Sequence, residues 1–241
     1  MVVALIVGAG QGTRMGPGVE KLFIELAGKP VIAHTWTRFD SASCIDGIVL
    51  VVREDQLDRV AALASRLSLS KPYWIVAGGP HRQDSVWNGL QALPNSAEIV
   101  AIQDAARPCT PAELIAATVQ AARQFNAAVA AQPITDTVKE SPDGEWVKRT
   151  LDRAQLWTVQ TPQTFRVEII KRAVSEARRR GLQLSDDTAA CELINQPVKL
   201  VIDARPNPKL TRPEDLPYIE FLLQREAADQ FGANTTVKVT C

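Results

Sequence analysis

The chain opens with six apolar or β-branched residues, Val2 to Val7, followed at once by Gly8, Gly10 and Gly12. A short apolar run without polar alternation suits a strand buried on both faces, and such strands belong to parallel sheets covered by helices. The glycines allow φ > 0 and let backbone N–H groups approach a ligand without Cβ interference. Successive N–H groups in such a loop form an anion-binding hollow, and Arg14 and Lys21 place two cations just beyond it. Strand, glycine loop, Arg and Lys together read as a cradle for a polyphosphate. Two commoner glycine motifs do not fit. The third glycine of G-x-G-x-x-G falls on Thr13 or Met15, and Lys21 is flanked by Glu20 and Leu22 rather than the residues of a Walker A loop. The bland alternative is a turn that merely reverses the chain.

The rest of the chain repeats the strand-then-helix rhythm. Strands are expected at Ile48–Val52, Trp74–Ala77, Ile99–Gln103, Ala127–Gln132, Trp157–Thr161 and Val198–Asp203. Helices are expected from Pro30 to about Phe39, Asp55–Leu67, Gln83–Leu93, Pro111–Phe125 and Val167–Arg180. A short one capped by Ser185 or Asp186 runs through Leu193, and another covers Pro213–Gln230. This is an α/β pattern, a mostly parallel sheet covered by helices. The rhythm breaks at Thr137–Leu156, where alternating residues flank the turn signal Ser141-Pro142-Asp143-Gly144. A lone two-stranded ribbon is marginal unless it packs on something, and a partner subunit is the simplest candidate. The expectation is one domain over residues 1–233 with an arm inserted at about 137–156, and a loose tail over 234–241.

In open α/β sheets, ligands bind beyond the carboxyl ends of the strands. After the first strand come the glycine loop, Arg14 and Lys21. The third delivers Gly78-Gly79, then Arg82, Asp84 and Ser85, and the fourth Asp104 and Arg107. The last delivers Asp203, Arg205, Asn207, Lys209 and Thr211. A carboxylate among cations at such ends suits Mg²⁺ shared with substrate phosphates, with Asp104 as ligand and Asp203 or Asn207 completing the shell. A helix cap or a salt bridge to Arg107 is the plainer reading of Asp104.

Composition excludes several classes. Lys plus Arg equals Asp plus Glu, 27 each, so no global field recruits nucleic acid or an anionic membrane. Cys44, Cys109, Cys191 and Cys241 lack metal-like spacing, and reduced thiols are expected. No apolar run approaches a membrane span, no leader precedes the first strand, and a cytoplasmic location is the expectation. His34 and His81 belong to no recognisable nucleophile motif. The tryptophans read as core or hairpin packing, and Arg178–Arg180 as a solvated helix end.

Seven ordered blocks carry a family resemblance. They are GAGQGTRM with Lys21, GG-x-x-R-x-DS at Gly78–Ser85, DAARP at Asp104–Pro108, DT-x-K at Asp136–Lys139, DR-x-x-LW at Asp152–Trp157, TPQ-x-F at Thr161–Phe165 and N-x-K-x-TRPEDL at Asn207–Leu216. Together, over about residues 2–222, they resemble the 2-C-methyl-D-erythritol 4-phosphate cytidylyltransferases. The resemblance implies a Rossmann-like nucleotidyltransferase fold, a divalent metal such as Mg²⁺, a homodimer formed through the arm, and transfer of CMP from CTP to a polyol phosphate. Methylerythritol phosphate is the expected acceptor, with ribitol 5-phosphate as the alternative. It further implies a catalytic set of Arg14, Lys21, Arg153 and Lys209, the first two at the α-phosphate and the others positioning the sugar phosphate. Ala9, Gly10 and Gly12 would surround the nucleotide, Gly79 and Ser85 would read the cytosine, and Asp104 would sit by the metal. Arg107, Thr137, Thr161 and Thr211 would line the second substrate's site, Thr137 and Arg153 reaching in from the partner's arm. Departures from the family pattern are mild: Gly8 for alanine, Pro80 for an acidic residue, Gln103 for histidine and Ser185 for threonine.

Overall fold

The computed structural model describes residues 1–10 and 12–234. Its main sheet has seven strands: β1 (Val2–Val7), β2 (Gly47–Val52), β3 (Tyr73–Ala77), β4 (Ile99–Asp104), β5 (Ala127–Pro133), β6 (Trp157–Arg166) and β7 (Lys199–Ile202), in the order β7-β5-β6-β4-β1-β2-β3. Neighbours run parallel except β6, which is antiparallel to both β4 and β5. The helices are α1 (Val31–Ser41), α2 (Leu57–Ala64), α3 (Arg82–Gln91), α4 (Ala112–Phe125), α5 (Val167–Arg179), α6 (Asp187–Glu192) and α7 (Leu216–Asn234).

The unbroken apolar strands explain the two layers. Alternate residues of β1 point to opposite faces. Val2, Ala4 and Ile6 pack with Trp36, Phe39 and Ile115 on one side, while Val3 and Leu5 pack with Val86, Leu90, Phe165 and Ile170 on the other. Both faces of β1 are thus covered by buried side chains. Helix α3 lies unusually near the sheet, because a Cβ on Gly89 would fall 2.2 Å from a methyl of Leu5.

Three expectations change. Strand β6 does not stop at Thr161 but continues to Arg166, with a register shift between Val159 and Gln163 that accommodates Pro162. The last helix begins as a 3-10 turn at Pro213–Asp215 and extends past Gln230 to Asn234. The expected tail from residue 235 lies outside the described residues. Trp146 is not packed: it is 75% exposed at the arm, where Lys139–Glu140 pairs with Arg149–Thr150. Between these strands Asp143 Oδ1 accepts from the N–H groups of Glu145 and Trp146, and Gly144 takes φ of 76°, which closes the turn.

The arm leaves and rejoins the sheet at one rung, where Trp157 pairs with Pro133 and the Ile134 N–H donates to the Leu156 carbonyl at 3.1 Å. Among the described residues, Cys44, Cys109 and Cys191 are free thiols, and burial pushes the Cys191 thiol up to about 12. No described helix is long and apolar enough to cross a membrane. The Arg178–Arg180 end is neutralised locally, Arg178 by Asp84 at 2.6 Å and the other two by Glu176.

Candidate active site

The carboxyl ends of β1 and β4 open onto a cleft of about 200 Å³. Of the residues singled out from sequence, Gly10, Gly12, Arg14, Lys21, Ser85, Asp104, Lys209 and Thr211 line it. Gly12 has φ of 65°, and a Cβ there would come within 3.2 Å of Lys21 Cδ, so the missing side chain lets the lysine stem cross the loop. Ala9 is buried beneath the loop. A Cβ on Gly78 would lie 2.3 Å from that of Ala9, so the glycine loop and the Gly78–Gly79 turn meet where only glycine fits. Ser85 is buried in the first turns of α3, and its Oγ accepts from the Gly79 N–H at 3.1 Å.

Asp104 is the anionic centre of a cationic cleft. Its carboxylate lies 2.8 Å from Lys209 Nζ, 3.4 Å from Arg107 Nε and 3.6 Å from Arg82 Nε. Burial alone would raise its pKa, but Lys209, Arg82 and Arg107 outweigh burial and hold it down to about 2. The salt-bridge reading of Asp104 therefore holds, and it is compatible with metal ligation. Lys21 shows the opposite balance. Burial and then repulsion from Lys209 push its pKa below the ordinary lysine value, with Asp104 only partly compensating. Its Nζ donates to the Leu210 carbonyl at 3.4 Å.

Other predicted residues stand farther back. Arg107 is buried behind Asp104 and donates to the Asn207 carbonyl at 2.5 Å. Thr161 Oγ accepts from the Asp104 N–H at 3.1 Å, at the start of the antiparallel strand's second half. Thr137 and Arg153 are exposed on the arm, and Arg153 donates to the Thr135 carbonyl at 2.6 Å rather than entering its own chain's cleft. Neither expected partner for a metal joins Asp104. Asp203 is engaged by Arg205 at 2.9 Å, and Asn207 is held by Thr110 at 2.9 Å and by the Thr161 carbonyl at 2.8 Å. Among the described residues no group of three His, Cys, Asp or Glu side chains gathers to form a protein-only metal cage.

One residue of this region, Asp187, does not stand out in the sequence. It holds Arg82 through both carboxylate oxygens, at 3.0 and 2.7 Å, and Gln163 Oε1 accepts from its N–H at 3.0 Å. Asp186, not Ser185, caps α6 by accepting from the Ala189 N–H at 3.1 Å. A larger open groove of about 950 Å³ between α1, α4 and α7 contains, of the strand-end residues named from sequence, Arg205 alone, and four of its charges are paired, Arg38 with Glu226 and Glu113 with Arg205. The smaller cleft is where the strand ends, the glycine loop and eight of the predicted site residues coincide.

Comparison with known proteins decides the family. Residues 2–225 match the family model described as 2-C-methyl-D-erythritol 4-phosphate cytidylyltransferase. The chain belongs to that family. A cytidylyltransferase of this name from Geobacillus thermodenitrificans is 42% identical over 226 residues, which is 94% of this chain and 98% of the relative. One from Dehalococcoides mccartyi is 45% identical over 225 residues, covering 93% and 96%. Among solved structures, a 4-diphosphocytidyl-2C-methyl-D-erythritol synthase from Anaerococcus prevotii superposes with a TM-score of 0.83 at 30% identity, covering 93% of this chain and 96% of that one. The family fold, a mostly parallel sheet covered by helices, is the fold described above.

Proposed function

We propose that this chain transfers CMP from CTP to 2-C-methyl-D-erythritol 4-phosphate, releasing pyrophosphate. The observation that carries the proposal is the cleft itself, in which Arg14, Lys21, Arg82 and Lys209 surround a single ionised carboxylate at the mouth of a glycine loop. Such a site is built for a highly charged anion and has no histidine on its wall: His34 lies in the groove beside α1, and His81 is exposed.

The chemistry asks for little else. A phosphate monoester has a second pKa of about 6 and is mostly dianionic at neutral pH, so the attacking oxygen needs no general base. The obstacle is repulsion between that dianion and the triphosphate, together with the need to align attacker and leaving group. In this reading the loop at Ala9, Gly10 and Gly12 holds the triphosphate, and Gly79 and Ser85 read the base. Arg14 and Lys21 stabilise charge at the α-phosphorus as the sugar phosphate attacks and pyrophosphate departs. Lys209 draws the incoming phosphate, with Thr161 and Thr211 beside it and Arg107 backing the carboxylate. Thr137 and Arg153 come from the arm of a second subunit, which makes the active form a homodimer.

Asp104 fits a divalent cation of the Mg²⁺ kind, which takes one or two carboxylates plus substrate phosphate oxygens and water. Its carboxyl is ionised and stands at a strand end, and when bound such an ion would supply neutralisation of triphosphate charge. The same reading takes residues 1–233 as one domain with the arm inserted at about 137–156, in a cytoplasmic enzyme of the non-mevalonate isoprenoid pathway. The test is pyrophosphate release by purified protein with Mg²⁺, CTP and either methylerythritol phosphate or ribitol 5-phosphate. Release with the former is expected. Silence with both, or release with ribitol phosphate alone, overturns the proposal.

A further inference from the structure

Arg82 begins α3 in the cleft wall, three residues before Ser85, yet its strongest bonds run away from the cleft. Asp187, only 4% exposed, takes two of its N–H groups in a fork, while Arg82 Nε stays at 3.6 Å from Asp104, beyond hydrogen-bond distance. Asp187 is itself fixed. Gln163, buried in β6 opposite Ile102, accepts from the Asp187 N–H through Oε1 and donates to Asp186 Oδ2 at 2.9 Å through Nε2. A single amide side chain thus pins the start of α6 to the sheet. A guanidinium has five N–H donors, so the fork leaves donors over for an anion in the cleft.

The alternative position for Arg82 is evident from the distances. Without Asp187, the nearby carboxylates are Asp186, already taken up by Gln163, Thr188 and the Ala189 N–H, and Asp104, which carries Lys209 and Arg107. Arg82 would then compete for the carboxylate that the nucleotide's counter-ion requires. We infer that Asp187 is a positioning residue for nucleotide binding: with Gln163 behind it, it holds the Arg82 guanidinium off Asp104 and presents it to the triphosphate. The inference rests on the cytidylyl-transfer reading and adds to it a residue that touches neither substrate.

A double-mutant cycle tests it. Asp187→Asn keeps the side-chain shape and removes the charge, and loss of a charged fork of this kind corresponds to about tenfold or more in affinity. The expected result is a KM for CTP raised about tenfold, with the KM for the sugar phosphate within about twofold of wild type. In an Arg82→Ala background, Asp187→Asn should change the KM for CTP by less than about twofold, because the residue through which it acts is gone. Equal rises in both KM values, or the same tenfold effect in the Arg82→Ala background, would overturn the inference. If Asp187→Asn does not fold, Arg82→Lys takes its place: a lysine cannot be forked, so it must show the same CTP-selective loss, and an unchanged KM for CTP counts against the inference. Wild-type protein in the same assay separates the levels. An inactive wild type removes the transfer reading and this inference with it, whereas an active wild type with an additive cycle removes the inference alone.

Discussion

Lys21 is a lysine that the fold disfavours as a cation, and that tension gives it a measurable signature. Because its pKa is lower folded than unfolded, the unfolded chain binds more protons between the two values, and the charged lysine weakens the native state at neutral pH. Lys21→Met should therefore raise the melting temperature while turnover collapses by about 3–4 kcal/mol of transition-state stabilisation. For a chain of this size a gain of about 1 kcal/mol appears as roughly 2–4 °C. A variant that is both less stable and still active would contradict the role. Asp104 works in the other direction. Its carboxyl sits at about 2 against an ordinary 3.8, so its stabilising contribution is complete above about pH 4 and is lost as pH falls through about 2. On the order of 2 kcal/mol is at stake. Urea midpoints between pH 5 and pH 2 should fall more steeply for wild type than for Asp104→Asn, and parallel slopes would show that the carboxylate is not held as described. At this scale the sequence is readable where chemistry demands a residue type beside a strand end, as with Arg14, Lys21 and Asp104. It is silent on Asp187, whose partner Arg82 lies 105 residues away and whose anchor Gln163 lies 24 away.

Among the elements, the closest approach in the site is between two loops. Gly78 and Ala9 meet so tightly that a methyl on Gly78 would sit 2.3 Å from Ala9 Cβ and 2.8 Å from Ser85 Oγ. Gly78→Ala must push the nucleotide loop from its seat, at an expected loss of about 1–3 kcal/mol of stability. It should also raise the KM for CTP more than that for the sugar phosphate, which steady-state kinetics and thermal melts together would read. Unchanged CTP affinity would mean that the two loops do not share the nucleotide. The strands of the sheet centre were legible because an apolar run buried on both faces has no polar alternation to confuse it. Strand β6 reads as shorter in the sequence than it is, for a physical reason. Its Thr161, Gln163 and Thr164 are polar yet 3%, 3% and 0% exposed, and Pro162 signals a stop, so nothing in the residue pattern announces a buried strand. Those polar groups are satisfied by hydrogen bonds that only the folded chain provides, such as Thr164 Oγ to Thr118 Oγ at 3.0 Å.

At the scale of the whole molecule, the open question is the arm. Trp146 and Val147 are 75% and 63% exposed, which is apolar surface in want of a partner, and Arg153 and Thr137 stand outside their own chain's cleft. If two chains exchange arms, the Lys21→Ala and Arg153→Ala defects fall in the same site of a mixed dimer and leave the other site intact. Mixing the two inactive proteins should restore up to about a quarter of wild-type activity under random assortment, since half of the dimers are mixed and each has one intact site. Verified mixed dimers with no recovered activity would show that each chain uses its own Arg153. Sedimentation of the wild type should give a dimer, and Trp146→Lys should shift it towards monomer. The arm is legible in its turn residues, but the exposure of its tryptophan is not, because an apolar residue in a sequence reads the same whether its own chain or another surface covers it.

The single rung at which the arm leaves and returns has a consequence for how such a molecule can change. Trp157 lies opposite Pro133 whether the excursion between them is long or short, so residues added or deleted there leave every other pairing in the sheet undisturbed. Reach is thus decoupled from scaffold. Because β6 runs against its neighbours, the arm's root also sits at the same rim as Asp104 and Thr161, so a change in its length alters how far it extends from that rim without moving the groups at its base. The arm can drift as a separate trait, changing its length while the groups at its base stay fixed.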